Sequence, residues 1–158
     1  MIDFRKTAAG KIALNALKLD NQRNQILTDI WKDPFVQDFI ISLNTESQLR
    51  FGKLGNGGDM PQAGPGYLAA KRSLIGTQNA PTDLTNLFLT GAFYDTFDIV
   101  VGQTGFTIIA NTALYGRDFK DIYGFDILGL NDESLQKLIN FVEPMFVKEV
   151  KRRLFVGI

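Results

Sequence analysis

The chain of 158 residues contains no cysteine and no histidine, and its formal net charge at pH 7 is zero. Without cysteine it has no disulfides, no thiolate metal ligands and no thiol nucleophile. Without histidine it lacks the commonest metal ligand and the usual general base near neutral pH. A net charge of zero provides no long-range attraction to nucleic acid. These absences favour a non-enzymatic protein without a metal or another cofactor.

Long apolar runs are also missing. No segment approaches the roughly 20 apolar residues that span a bilayer. The start, MIDFRKTAAGK, lacks the apolar stretch of a secretory signal. We therefore expect no membrane partner. The hydrophobic fraction of 45% is that of a chain that folds, and the length suits one domain.

The charges are unevenly distributed although they sum to zero. Residues 1–32 carry six basic and three acidic side chains, a net charge of +3. Residues 33–147 carry seven and thirteen, a net charge of −6, and residues 148–158 carry four and one, a net charge of +3. Two interpretations are open. Either the charges are balanced within one molecule, or the basic ends of one subunit meet the acidic body of the next.

Apolar residues at helical spacing predict helices over residues 3–19 and about 21–32, with a break at Asp20-Asn21. The pair Asp33-Pro34 predicts the start of another helix, because Asp caps helix N-termini and Pro suits the first helical position. The predicted apolar face of that helix consists of Phe35, Val36, Phe39, Ile40 and Leu43. Residues 1–45 are thus predicted to form a helical N-terminal region.

The remainder, residues 46–158, is predicted to be an α+β body with two long loops. Glycines break regular structure over residues 52–66. Alternating apolar residues in 97–111, on both sides of Gln103-Thr104-Gly105, predict a β-hairpin with a three-residue connection and a bulge. Residues 111–126 are predicted to be the second loop.

The last helix is predicted to begin at Asn131, a capping residue followed by two acidic residues. Pro144 is expected to bend this helix or to start a new one. The predicted fold class is therefore α+β, with N-terminal helices, a small antiparallel sheet with a β-hairpin, and a kinked C-terminal helix.

The predicted loop at 111–126 is rich in aromatic and charged residues, which must be buried on this subunit or on a partner. Its acidic residues do not match the ligand spacing of a calcium-binding loop. We therefore treat the loop as an interface. The candidate interface residues are Tyr115, Arg117, Phe119, Tyr123 and Phe125.

The basic end of the chain is a second candidate surface, formed by Lys151, Arg152 and Arg153. It lacks the charge density and the interleaved aromatic residues of a dedicated nucleic-acid-binding segment. A solvated or protein-facing helix is favoured, so no specific nucleic-acid partner is expected.

Several short motifs follow one another in an order typical of a known group of proteins. They are Leu43-Asn44 with Gln48, the glycines from Gly52 to Gly58, Tyr67 with Lys71, Thr90-Gly91-Ala92-Phe93-Tyr94 with Phe97, the hairpin, and Leu128-Gly129-Leu130 before Asp132. In this order, over roughly residues 43–143, the chain resembles phage virion morphogenesis proteins of the tail-completion and head–tail joining kind. It departs from their pattern in 111–126, where relatives carry a more regular segment.

The resemblance implies a structural protein of a tailed-phage virion, assembled in the host cytoplasm. Such a subunit forms a homo-oligomeric ring at the head–tail neck or the tail end, as a connector, tail-completion or terminator protein. Its partners would be copies of itself and the portal, neck or tail proteins, and Tyr67 and Lys71 would belong to the interface. The alternative is a small intracellular non-enzymatic binding or scaffold module, monomeric or dimeric, with a groove of its own.

Overall fold

The computed structural model describes residues 7–75 and 83–156. Within these ranges the fold is α+β, as predicted, with five helices and two small antiparallel sheets of two strands each. The helices are α1 (Ala8–Trp31), α2 (Pro34–Thr45), α3 (Pro65–Ile75), α4 (Phe119–Tyr123) and α5 (Asp132–Leu154), and the strands are β1 (Asp98–Val101), β2 (Phe106–Ile109), β3 (Ala113–Leu114) and β4 (Arg117–Asp118).

Helix α1 is continuous, so the predicted break at Asp20-Asn21 is wrong. Both side chains are exposed, where Asp and Asn each cost a helix about 0.7 kcal/mol or less. The packing of α1 along α5 outweighs this cost. In the described part of the chain α1 begins after Thr7, whose hydroxyl accepts a hydrogen bond from the Gly10 amide at 3.1 Å. Residues 3–6 of the predicted helix lie outside the described residues.

The predicted start of α2 is confirmed. The Asp33 carboxylate accepts a hydrogen bond from the Phe35 amide at 2.9 Å, and Pro34 occupies the first turn. Val36 and Ile40 are fully buried, but Phe35 is 79% exposed, contrary to the predicted apolar face. One residue step turns a helix by about 100°, so the residue next to Val36 points away from the core.

Helix α5 has the predicted cap, because the Asn131 side chain accepts a hydrogen bond from the Ser134 amide at 2.9 Å. Pro144 lies inside this kinked helix. Its buried residues Leu138 and Val142 belong to one hydrophobic core with residues of α1 and α2. The N-terminal helices therefore pack on α5 of the same chain. The division at residue 45 stays a prediction.

The predicted hairpin is β1 paired with β2. Ile99 lies opposite Ile108, and both are buried. The pairing is continuous, and four residues, 102–105, connect the strands instead of the predicted three. The rings of Trp31 and Phe106 lie 5.1 Å apart between centroids, so the hairpin is attached to the end of α1.

The predicted loop at 52–66 is largely irregular, but it is anchored. Lys53 and Asp59 form an isolated β-bridge, Leu54 and Met60 are buried, and α3 already begins at Pro65. These contacts hold the segment against the body of the protein.

The prediction of a loop over 111–126 is wrong. The segment contains β3, β4 and α4. Tyr115 and Gly116 both have positive φ, 55° and 72°, which suits the tight turn between two antiparallel strands. Asp118 then caps α4 by accepting a hydrogen bond from the Lys120 amide at 2.9 Å. Turn and cap signals were present in the sequence, but the elements are too short for periodicity to reveal them.

Candidate interface cleft

Half of the ten predicted interface residues line one open cleft of about 460 Å³. This volume is within the range of pockets that bind small molecules or inserted side chains. The five predicted residues are Tyr67, Tyr115, Arg117, Phe119 and Tyr123, and the other lining residues are Gly64, Gly66, Leu87, Leu89 and Ile122. The structure thus joins residues from α3, from the 87–89 segment and from the refolded 111–126 segment.

Short elements position the aromatic residues around the cleft. Phe119 and Tyr123 lie four residues apart on α4 and therefore project from the same face. Phe119 packs edge-on against Phe93, with 5.0 Å between ring centroids. Tyr115 lies in the β3–β4 turn, and its hydroxyl is 2.7 Å from the Thr90 hydroxyl oxygen. These contacts hold the walls in place before any partner binds.

The polar groups of the cleft are three phenols and one guanidinium. The Tyr67 hydroxyl is buried, and no partner within the described residues forms a hydrogen bond of normal geometry with it. Burial, reinforced by Tyr123, raises the pKa of Tyr67 to about 12. Burial also raises the pKa of Tyr123, although the Arg117 charge opposes this. Arg117 is the charged residue in the lining.

Lys71 has a different position from the one predicted, because its side chain is completely buried. The Nζ atom donates hydrogen bonds to the Leu84 carbonyl and to Oδ1 of Asn86, both at 2.6 Å. It also lies 6.0 Å from the centre of the Tyr67 ring. In this conformation Lys71 cannot contact a partner. It joins α3 to the 84–86 segment behind the cleft.

Burial lowers the pKa of Lys71 to about 8, with Asp83 opposing the change. The ordinary pKa near 10.5 applies to the unfolded chain. Between pH 8 and 10.5 the unfolded state therefore binds more protons than the folded state, so this residue makes stability rise with pH. A neutral amine still has two N–H groups for the two acceptors.

We expect Lys71→Met to destabilise the protein by about 2 kcal/mol at pH 7, because the buried Asn86 side chain and the partly buried Leu84 carbonyl lose their donor. The difference from the wild type should grow as the pH is raised from 7 to 10. Urea unfolding of both proteins across this range measures it. Above pH 10 the raised pKa of Tyr67, which both proteins contain, lowers the stability of both, so the measurements end there. A pH-independent difference would contradict the assignment.

The remaining predicted interface residues lie outside the cleft lining. Phe125 is 73% exposed, and the Lys120 amino group lies 5.4 Å from the centre of its ring. Lys151 is also exposed. Phe125 and Lys151 therefore remain accessible to a partner.

Arg152 and Arg153 form ion pairs within their own chain. Both donate hydrogen bonds to the Glu149 carboxylate, and these bonds lower the pKa of Glu149 to about 2. Arg153 also reaches α1, where it lies 3.4 Å from the Asp29 carboxylate. Arg152 and Arg153 are thus paired with acidic side chains of their own chain, and both interpretations of the charge distribution stay open.

The motifs that carried the family resemblance form internal connections. The Gly129 carbonyl accepts hydrogen bonds from the side-chain amides of Asn44 and Gln48, at 2.7 and 2.9 Å. The Gln48 Oε1 atom accepts a hydrogen bond from the Asn131 amide at 3.0 Å. We call this group, together with Gly55 beside Gly129, the Gly129 junction. It joins the end of α2 to the start of α5.

Sequence reasoning missed Asn86, which is fully buried. Its side chain accepts from Lys71 and donates to the Arg50 carbonyl at 2.9 Å, and its backbone carbonyl accepts from the Tyr94 hydroxyl. No pattern in the sequence identifies it, because a single asparagine in an irregular segment has the signature of a turn.

Comparison of the chain with protein-family models, with curated proteins and with solved structures finds no match. Among residues 7–75 and 83–156 no helix is long and apolar enough to cross a membrane. No group of three or more acidic side chains in the same ranges is arranged to hold a metal ion.

Proposed function

We propose that this chain is a non-enzymatic structural subunit of a tailed-phage virion. It assembles with copies of itself into a ring at the head–tail neck or the tail end. The observation that carries the proposal is the cleft, in which five residues predicted as interface from sequence meet on one open surface. The order of motifs that resembles tail-completion and head–tail joining proteins supports the same function.

Large apolar side chains that remain exposed in the single chain support assembly. Phe35 is 79% exposed, Phe125 73% and Leu17 70%. Exposed aromatic residues are frequent anchors of protein interfaces, where their burial contributes much of the binding energy. The function proposed here is mechanical, so the chain needs a rigid body and contact surfaces rather than reactive groups.

The rigid body consists of the hydrophobic core and the Gly129 junction, and the contact surfaces are the cleft and the exposed side chains of Phe35, Phe125 and Leu17. The partners are copies of the chain and, above and below the ring, the portal, neck or tail proteins. The protein would reside in the virion after assembly in the host cytoplasm.

The oligomeric state of the purified protein tests this proposal. Mass photometry over a range of concentrations should show one defined oligomer, and negative-stain imaging should show rings of one diameter. Mass spectrometry of purified particles should detect the chain. A protein that remains monomeric at every concentration, both alone and with the portal protein of the same virion, would refute the proposal.

A second candidate function is a small binding or scaffold module outside any virion. The cleft favours it, because about 460 Å³ of space with mostly apolar walls beside the buried Tyr67 hydroxyl also suits a small ligand. This candidate predicts a monomer or dimer and absence of the chain from purified particles. The particle mass spectrum therefore separates the two functions.

A further inference from the structure

Phe35 is the most exposed of the large apolar side chains in the described part of the chain. It lies in the first turn of α2, between the capping residue Asp33 and the buried residue Val36. The cap and the proline at the first helical position fix the backbone there. Phe35 is thus a projecting side chain on a rigid support, and its insertion into a partner costs little backbone entropy.

The cleft has the complementary shape and chemistry. Its walls are mostly leucine, isoleucine and aromatic rings, and no residue of α2 lines it. Burial of one phenylalanine side chain in such a site is favourable, because it removes apolar surface from water. The projection and the cavity are thus separate surfaces of the same chain, which two copies could bring together.

One charge accompanies each surface. Asp38 lies three residues after Phe35, so both project from neighbouring positions on the exposed side of α2. Arg117 lies at the cleft and is exposed. Among the described residues neither side chain forms an ion pair. An unpaired carboxylate beside the projection and an unpaired guanidinium beside the cavity are complementary.

We propose that Phe35 of one copy inserts into the cleft of the next copy, with Asp38 facing Arg117. This deepens the proposed function, because it rests on self-assembly and identifies the surfaces that meet. The two surfaces differ, so the contact is heterologous. Each copy retains one free projection and one free cleft, and repetition generates a ring when the rotation closes.

Charge reversal tests the polar part of the contact. Asp38→Arg and Arg117→Asp should each weaken assembly at least tenfold in the midpoint concentration seen by mass photometry. The double variant should recover most of that loss, because the exchanged charges attract again. Phe35→Ser should weaken assembly by tenfold or more. Phe51→Ser, which replaces an aromatic side chain that is 55% exposed elsewhere, is the matched control and should assemble normally.

Mixing tests the heterologous geometry. Phe35→Glu removes the projection and keeps the cleft, whereas Ile122→Arg obstructs the cleft and keeps the projection. Each variant alone should be monomeric, and an equimolar mixture should form dimers and nothing larger, because one intact contact remains. Phe35 and Ile122 are both exposed, so we expect both variants to fold. Circular dichroism and thermal unfolding check this.

The outcomes distinguish this inference from the proposed function. If the wild type forms rings and the Phe35 and Arg117 variants assemble as the wild type does, the inference is overturned and the ring function stands. Loss of assembly in the single variants without recovery in the charge-reversed double variant also overturns it. A wild type that never assembles overturns both. Recovery in the double variant together with dimers in the mixture supports the contact.

Discussion

Gly55→Ala is expected to lower the free energy of unfolding by about 3 kcal/mol, the upper end of the cost of overpacking a core. A Cβ atom at Gly55 would lie 2.7 Å from Cα and 2.8 Å from the carbonyl carbon of Gly129, and 2.9 Å from the Asp126 carbonyl oxygen. All three are backbone atoms and cannot turn aside as a side chain would. The Gly55 amide also donates a hydrogen bond to the Asp126 carbonyl at 2.7 Å, which any shift would break.

Urea unfolding followed by circular dichroism, at one protein concentration, measures this loss. Gly64→Ala is the matched control, because it lies in the same glycine-rich segment and its Cβ would meet nothing within 4 Å. We expect it to change stability by no more than about 0.5 kcal/mol. Equal effects of the two variants would contradict the close approach of Gly55 to Gly129.

Gln48→Met is the second large effect, with an expected loss of about 2–3 kcal/mol. Gln48 is fully buried and uses both ends of its amide, donating to the Gly129 carbonyl and accepting from the Asn131 amide. Methionine has a similar shape but cannot replace either bond. The partly buried Asn131 amide would then lose its acceptor at the start of α5, and such an unsatisfied group costs about 1–3 kcal/mol. Urea unfolding of the purified variant measures the loss.

Asn44→Leu provides the internal comparison. Asn44 donates to the same Gly129 carbonyl, but its own Oδ1 atom is buried without a hydrogen-bond partner among the described residues. In the variant the carbonyl keeps the bond from Gln48, so we expect a loss below about 1 kcal/mol. A loss as large as that of Gln48→Met would show that the Asn131 amide is not the decisive group.

The motifs that carried the family resemblance are internal contacts that stabilise the fold. The glutamine, the glycine-rich loop and Leu128-Gly129-Leu130 meet at the Gly129 junction, and the lysine is buried beside Asn86. Loss of any of them would lower stability, and an effect on the proposed assembly would follow from that loss rather than from a missing contact surface. The surfaces proposed for assembly lie elsewhere, at the cleft and at Phe35.

The N-terminus of α2, the cap of α5 and the hairpin were predictable, because each depends on neighbouring residues. Asp33 bonds the amide two residues on, Asn131 bonds the amide three residues on, and strand alternation places Ile99 and Ile108 on one face. The predicted break at Asp20 was wrong because contacts with a distant part of the chain decide the structure there. A local preference of less than 1 kcal/mol favoured a break, and the packing of α1 on α5 overrode it.

The candidate site was predictable in part. Aromatic density around Tyr115 and Tyr123 indicated a binding surface, but their meeting with Tyr67 required the tertiary fold. The exposure of Phe35 and the burial of Lys71 were not predictable, because residue type favours the opposite in each case. The exposure of Phe35 and the burial of Lys71 are set by contacts with distant parts of the chain.

The sequence by itself determined the α+β class, the helix caps, the paired strands and the absence of thiol and imidazole chemistry. All of these follow from residue type and from spacings of a few residues. Only the tertiary structure decided which polar side chains became internal connections and which apolar ones stayed at the surface. Burial depends on contacts between residues that are far apart in the chain, such as Gln48 with Gly129, 81 positions away.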